Sequence, residues 1–234
     1  QGVRSRETRG SPRTLYLGGG TPSLLPTGLH EKILQAIADV FGDAADREFT
    51  VECNPGTVDA AKLRALRAGG VNRLSFGVQT FDDTLLKKIG RIHTGAQARE
   101  AMALARAAGF QNVSMDLIYG LPGESLADLE QDLEAMVALE PEHISIYGLQ
   151  LEEGTAFAKM QEMGRLALPD EDTVERMYDT MTAFLPAHGY ARYEISNFAK
   201  PGFESCHNLS YWQDVPYLGV GAAAHSYLEG QRYE

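Results

Sequence analysis

Four polar signatures recur along the sequence, each at the end of a short apolar run. Gly18, Gly19 and Gly20, with Thr21 and Pro22 behind them, close the first run. A glycine loop of this kind lets backbone amides and carbonyls approach a polar ligand closely, or simply builds a tight turn. Glu52 ends the second run in Val-Glu-Cys-Asn-Pro-Gly, Gln79 the third in Gly-Val-Gln-Thr-Phe, and Asp116 stands in the fourth in Met-Asp-Leu-Ile-Tyr-Gly. Singly, each could be a buried acceptor holding a neighbouring loop; three at equivalent places point to one cavity. Arg91 could bring a bidentate guanidinium to a carboxylate there, or form a surface salt bridge.

A second cluster holds Cys206, His207, Asn208, Tyr211 and Trp212. A histidine beside aromatic rings could ligate heme iron while the rings flank the macrocycle, or could be a structural histidine in an aromatic cluster. Cys53 adjoins Glu52, so strand alternation sends its side chain the other way and into the core. No Gly-Lys-Ser or Gly-Lys-Thr follows the glycine loop, which excludes a Walker phosphate loop, and no serine elbow or His/Glu metal spacing is present.

The elements that must position these residues read as repeated βα units. Strand-like runs at 14–17, 49–51, 73–76, 113–118 and 143–147 alternate with amphipathic stretches at 28–41, 59–68, 97–108 and 126–139. A short helix-like stretch at 82–89 precedes Arg91. Strand spacing of about 30 residues is what a βαβ crossover requires. The expectation is an α/β fold with a parallel sheet whose ligands bind at the carboxyl ends of the strands. Helices are expected again at 155–163 and 170–188, then a strand at 192–195. The stretch 197–224 is rich in Gly, Pro and aromatics, and reads as a packed loop region or the start of an appended domain.

Composition narrows the function classes. The 234 residues carry a formal charge of −11, which excludes bulk electrostatic attraction to nucleic acid or an anionic membrane. The opening residues 1–13, with Arg4, Arg6, Arg9 and Arg13, read as a solvated connector. Two widely separated cysteines give no disulfide framework, and a reducing cytoplasm is the expected location. No apolar stretch reaches the about 20 residues of a membrane-spanning helix, so no transmembrane segment is expected.

Four phrases, Tyr-Leu-Gly-Gly-Gly-Thr-Pro-Ser, Val-Glu-Cys-Asn-Pro-Gly-Thr, Asn-Arg-Leu-Ser-Phe-Gly-Val-Gln-Thr-Phe and Asp-Leu-Ile-Tyr-Gly-Leu-Pro-Gly-Glu, occur in this order. Together they resemble the radical S-adenosylmethionine proteins related to oxygen-independent coproporphyrinogen III oxidase. Tyr-Glu-Ile-Ser-Asn-Phe-Ala followed by His207-Asn208-Leu-Ser-Tyr211-Trp212 is similar to the heme-chaperone branch of that family rather than to the oxidase. The resemblance implies an incomplete parallel (βα) barrel over 14–196 with its first strand missing, followed by a truncated C-terminal segment at 197–234. It implies S-adenosylmethionine along the strand ends, with Gly19, Gly20 and Thr21 beside the methionyl amino group. Glu52, Gln79, Arg91 and Asp116 match positions contacting the cofactor, and Gln150 and His225 align with further lining positions. Heme is implied at His207, with Tyr211 and Trp212 beside it, and a heme-accepting apoprotein as partner.

The family's Cys-x-x-x-Cys-x-x-Cys motif, which holds a [4Fe-4S] cluster, belongs upstream of the glycine loop. The sequence is therefore read as a fragment that neither assembles the cluster nor cleaves the cofactor. Two other classes stay open: oxidative decarboxylation of porphyrinogen propionates, and an ordinary barrel enzyme acting on a phosphorylated metabolite. For the latter no lysine, metal ligand or general base is well placed.

Overall fold

A computed structural model describes residues 11–42 and 44–234. Arg4, Arg6 and Arg9 of the opening connector lie outside the described residues. Five strands are each followed by helix. These are β1 (Thr14–Leu17), β2 (Glu48–Cys53), β3 (Arg73–Gln79), β4 (Val113–Tyr119) and β5 (His143–Gly148). The helices are α1 (Thr27–Phe41), α2 (Ala60–Ala68), α3 (Asp83–Lys88), α4 (Gly95–Ala107), α5 (Leu126–Ala138), α6 (Ala156–Glu162), α7 (Glu171–Ala187) and α8 (Cys206–Trp212). β1 to β5 lie side by side in sequence order and all pair in parallel, as the βα period requires. Among the described residues the sheet is open, with β1 at one edge.

The expected strand at 192–195 is not one. β6 is only Ala191–Arg192, and after a turn β7 (Asn197–Ala199) runs antiparallel to both β5 and β6. The apolar residue that suggested alternation, Ile195, is 58% exposed in that turn. β7 lies just past the boundary expected at residue 196 and is hydrogen-bonded into the sheet. Beyond α8, β8 (Ser226–Leu228) and β9 (Gln231–Tyr233) form a separate two-stranded hairpin.

Helix starts follow local chemistry. Thr94 and Ser125 form capping boxes with Gln97 and Asp128, while Asp59, Asp82 and Asp170 cap α2, α3 and α7. Arg47, nearly buried, joins the entry to β1 with the end of α1 by donating to the carbonyls of Pro12, Phe41 and Gly42.

One face of the sheet makes the core. Phe49 and Val51, Leu74 and Phe76, Val113 and Met115, Ile144 and Ile146 are buried against Leu34, Leu63, Ala101, Leu133 and Met181 of the helices. Cys53 belongs to this face, 2% exposed, and burial pushes its thiol up to about 12. The alternate residues, on the face away from these helices, include Glu48, Thr50, Glu52, Arg73, Ser75, Ser114, Asp116, His143 and Ser145. That inner face is polar along its whole height.

Because Phe76 is fully buried among the helices, Phe76→Ala is expected to cost about 3–5 kcal/mol. Urea unfolding followed by circular dichroism measures it, and a loss below about 1 kcal/mol would contradict this core.

Candidate functional site at the carboxyl ends of the strands

The loops behind β1, β2 and β3 are tied into one rim. Asn54, two residues past Glu52 and so on the same face, donates from Nδ2 to Thr21 Oγ1 at 3.1 Å and accepts from Arg91 Nη1 at 3.3 Å. Its backbone N–H donates to Ser23 Oγ at 3.0 Å, and Ser23 Oγ meets Thr57 Oγ1 at 2.6 Å. Lys62 then closes the underside by donating to the carbonyls of Ser23 and Thr57. Thr21, Asn54 and Arg91 thus stand in one hydrogen-bonded row.

Gly77 and Gln79 complete it. The pairing of β3 with β4 shifts between these two residues, and Gln79 adopts φ 71°, a left-handed conformation uncommon outside glycine. The bulge brings the Gln79 amide over Gly77. A β-carbon at Gly77 would press on Gln79 Nε2 at 2.9 Å and Asn54 Oδ1 at 3.2 Å, so any larger residue would have to push these two amides out of their present places. Gly19 and Gly20 take φ of 79° and 66° and face open space. Gly18 has no such freedom, because any side chain would run into the Tyr16 ring and the Glu52 carboxylate.

Glu52 accepts from the Tyr16 hydroxyl at 2.6 Å and from the Gly19 N–H at 3.1 Å. Asp116 pairs with Gly77 across the sheet and sits among Ser75 and Ser114, whose hydroxyls lie 3.4 Å from its oxygens. Burial raises its carboxyl to about 6, opposed by the Ser145 hydroxyl and the Arg73 guanidinium. Arg91 is lowered by its own partial burial, while Asp116 works in the opposite direction. Gln150 is exposed just past β5. His225 lies at the entry to β8, its Nδ1 3.8 Å from a Glu234 carboxylate oxygen, and no side-chain hydrogen bond or ion pair joins it to the rim among the described residues.

At the other end of the inner face sits α8. Glu48, the first residue of β2, accepts from the backbone N–H groups of Cys206 and His207, both at 2.9 Å, and from Ser205 Oγ at 3.2 Å. A carboxylate on two free N–H groups of a helix start is a favourable charge arrangement. The Tyr193 hydroxyl meets His143 Nε2 at 2.7 Å and accepts from Asn208 Nδ2 at 3.3 Å. His207 stacks on Tyr16, with Nδ1 3.0 Å from Thr14 Oγ1 and Nε2 3.0 Å from the Tyr211 hydroxyl. Burial lowers its basicity, against the opposing charge of Glu48.

His207 and Tyr211 are brought together, but Trp212 is not brought to them. It faces the other side of α8, where it lines a cleft of about 460 Å³ with Arg192, Tyr193, Glu194, Ile195 and Leu209. Sequence reasoning missed Asn54, Tyr16, Arg73, Glu48 and Tyr193. Alternation could have found Asn54 and Glu48 from Glu52, Tyr16 from Gly18 and Arg73 from Gly77; no local pattern marks Tyr193.

The chain belongs to the Radical SAM superfamily, which it matches over residues 3–136. It is 45% identical to the heme chaperone HemW of Lactococcus lactis subsp. lactis (strain IL1403), over 95% of this chain and 59% of that protein. To the heme chaperone HemW of Bacillus subtilis (strain 168) it is also 45% identical, over 94% of this chain and 58% of that protein. The chain therefore spans somewhat more than half the length of these relatives. The solved structure of coproporphyrinogen III oxidase (HemN) from Escherichia coli matches with a TM-score of 0.79 and 25% identity, over 93% of this chain and 52% of its own. Archaeal Elp3 of Methanocaldococcus infernus, with a TM-score of 0.63 at 19% identity over 74% of this chain and 44% of its own, shares the fold.

The described residues do not fit a [4Fe-4S] cluster. Cys53 faces the helices and Cys206 lies on α8, and no trio of His, Cys, Asp or Glu is placed to hold a metal ion. For S-adenosylmethionine the rim does fit: an open glycine loop, a row of hydroxyl, amide and guanidinium groups at Thr21, Asn54 and Arg91, and the Glu52 carboxylate beside the loop.

Asp116 binds its proton more tightly in the folded protein than in the unfolded chain. Its contribution to stability is therefore greatest at low pH and is lost as pH rises from about 4 through about 6. Asp116→Asn is expected to remove that part of the decline and to gain on the order of 2 kcal/mol over the parent at pH 8. Urea unfolding of both proteins from pH 4.5 to 8 reads this, and parallel pH profiles would refute it.

Proposed function

We propose that this chain is the scaffold of a heme-binding radical S-adenosylmethionine protein that receives heme at α8 and delivers it to an acceptor apoprotein. In this reading the rim holds S-adenosylmethionine. Arg91 suits the methionyl carboxylate, the loop at Gly19, Gly20 and Thr21 suits the ammonium, and Glu52, Gln79 and Asp116 suit ribose hydroxyls. When bound with its cluster, S-adenosylmethionine is a source of radical chemistry. Gln150 and His225 remain proposed lining positions, with less support, because neither is joined to the row formed by Thr21, Asn54 and Arg91. The segment from 197 onward is proposed as the heme-binding part. A reducing cytoplasm fits two free thiols at Cys53 and Cys206; no helix among the described residues is long and apolar enough to cross a membrane.

The observation that carries the heme reading is the setting of His207. Nδ1 is fixed by Thr14 and one ring face by Tyr16, whereas Nε2 meets the hydroxyl of Tyr211, a residue 47% exposed. A metal-binding imidazole is commonly oriented through its other nitrogen, as Thr14 does here. Nε2 is then the atom offered to iron, in exchange for Tyr211. Trp212 would meet the porphyrin only from the opposite side of α8, which makes it the weakest of the three heme contacts. A second reading, oxidation of coproporphyrinogen III, is favoured only by the likeness to HemN.

Titrating hemin into the protein and its His207→Ala and Cys206→Ser variants tests the reading. His207→Ala is expected to weaken binding about tenfold or more and to shift the Soret band. Losing two side-chain hydrogen bonds should also cost about 1–3 kcal/mol of stability. Cys206→Ser should leave the spectrum unchanged. Unaltered binding in His207→Ala would retire the ligand assignment.

A further inference from the structure

One unbroken chain of contacts joins the rim to the α8 motif. Glu52 has both carboxylate oxygens engaged, one by the Tyr16 hydroxyl at 2.6 Å and the other by the Gly19 N–H at 3.1 Å. The Tyr16 ring lies against the imidazole of His207, centroids 4.7 Å apart and planes 15° from parallel. Thr14, two residues earlier on the same face of β1, sets the imidazole from its edge through Nδ1. On its far side His207 meets the Tyr211 hydroxyl, and the Tyr211 ring stands edge-on to Tyr217 at 4.9 Å.

The Glu52 carboxylate keeps lone pairs beyond these two bonds, so a polar ligand can engage it either by sharing an oxygen or by displacing one of its present donors. In either case it competes for the carboxylate's charge with the Gly19 amide, whose loss would disrupt the glycine loop, or with the Tyr16 phenol. The phenol is the part that can move, because its other contact is a stack. When the hydroxyl is released, the ring plane is no longer fixed from the Glu52 side. The imidazole resting on that plane then loses one of the supports that orient it, while the Thr14 contact at Nδ1 remains.

We propose that Tyr16 is a positioning residue that couples Glu52 at the rim to His207 on α8. A hydroxyl- or ammonium-bearing ligand that takes over Glu52 thereby alters the setting of the imidazole. As a regulatory device this rests on the proposed ligands of the two sites, whereas the coupling itself belongs to the chain alone. Linkage makes it reciprocal: a ligand on His207 changes the affinity of the rim ligand by the same factor.

A double-mutant cycle tests the coupling without any ligand. The full chain is labelled with 15N-histidine, and the His207 ring signals are assigned by their loss in His207→Ala. They are then recorded in the parent, Glu52→Gln, Tyr16→Phe and the double variant. Tyr16→Phe keeps the stacked ring and removes only the hydroxyl. The expected result is that Glu52→Gln moves the His207 ring nitrogens when the hydroxyl is present and not when it is absent. Equal shifts in both backgrounds, or none in either, would overturn the proposal. Glu52→Ala, at a partly exposed position, is a second perturbation of the same anchor and must also move those signals; if it does not, the proposal fails even where Tyr16→Phe does not fold.

Hemin titration adds the functional arm. Tyr16→Phe is expected to weaken hemin binding about threefold, less than His207→Ala does. If His207→Ala leaves hemin binding intact, the heme reading fails, while the ring-nitrogen cycle still decides whether Tyr16 couples the two ends.

Discussion

The rest of the structure depends on how the inner face of the sheet finds partners for its ionisable groups. A parallel sheet covered on both sides is ordinarily apolar on both, and this one is apolar only against its helices. Glu48, Arg73, Asp116 and His143 all lie on the other face, where a buried charge or polar group without a partner costs several kcal/mol. Each solution uses a group from elsewhere in the chain. Glu48 takes the free N–H groups of α8. His143 is held well toward its neutral form by burial and meets Ser114 and Tyr193.

It follows that α8 is part of the sheet's electrostatic design rather than an appendage. Without it Glu48 would face the sheet interior with no donors, and Tyr193 would lose two of its partners. The same contacts explain why two sequence phrases travel together. Tyr193 of Tyr-Glu-Ile-Ser-Asn and Asn208 of His-Asn-Leu-Ser-Tyr-Trp are joined by a hydrogen bond across a turn and a strand. His207 then falls beside Tyr16, so the aromatic motif is anchored to β1 by its own geometry.

The parts of this arrangement legible in the sequence were those written in local periodicity. Five strands and the helices between them follow from alternation and from caps such as Thr94 and Ser125, which act within a few residues. Cys53 was placed in the core by its parity against Glu52 alone. Of the strand expected at 192–195 only Arg192 is paired, because alternation in a short segment cannot distinguish a paired strand from a turn whose polar tips bond elsewhere. The bond from Cys206 to Glu48 spans 158 residues, and no local signal could carry it. The separation of Trp212 from His207 was equally hidden. Adjacency in a motif gives no facing until the helical phase is known, and in a helix of 7 residues the neighbouring body, not the motif, sets that phase.

What the sheet leaves unsolved lies between the two ends of the inner face. Arg73 is 3% exposed, yet its Nε finds no hydrogen-bond partner, and neither does Oγ1 of fully buried Thr50, its register partner on β2. Arg73 acts instead at longer range, favouring the ionised forms of Asp116, Tyr16 and Tyr193 and the neutral forms of His143 and His207. One guanidinium therefore biases the protonation of both the rim and the α8 cluster. A side chain spent on a single ion pair could not do this, since a close carboxylate would cancel its field within a few ångströms. Strain at Gln79 and a partly buried acid at Asp116 toward the carboxyl ends, and at the start of β3 an arginine whose Nε has no partner among the described residues, thus share one face of β3 and β4. A face built only for stability would have replaced them with apolar residues, as the opposite face of the same two strands has done.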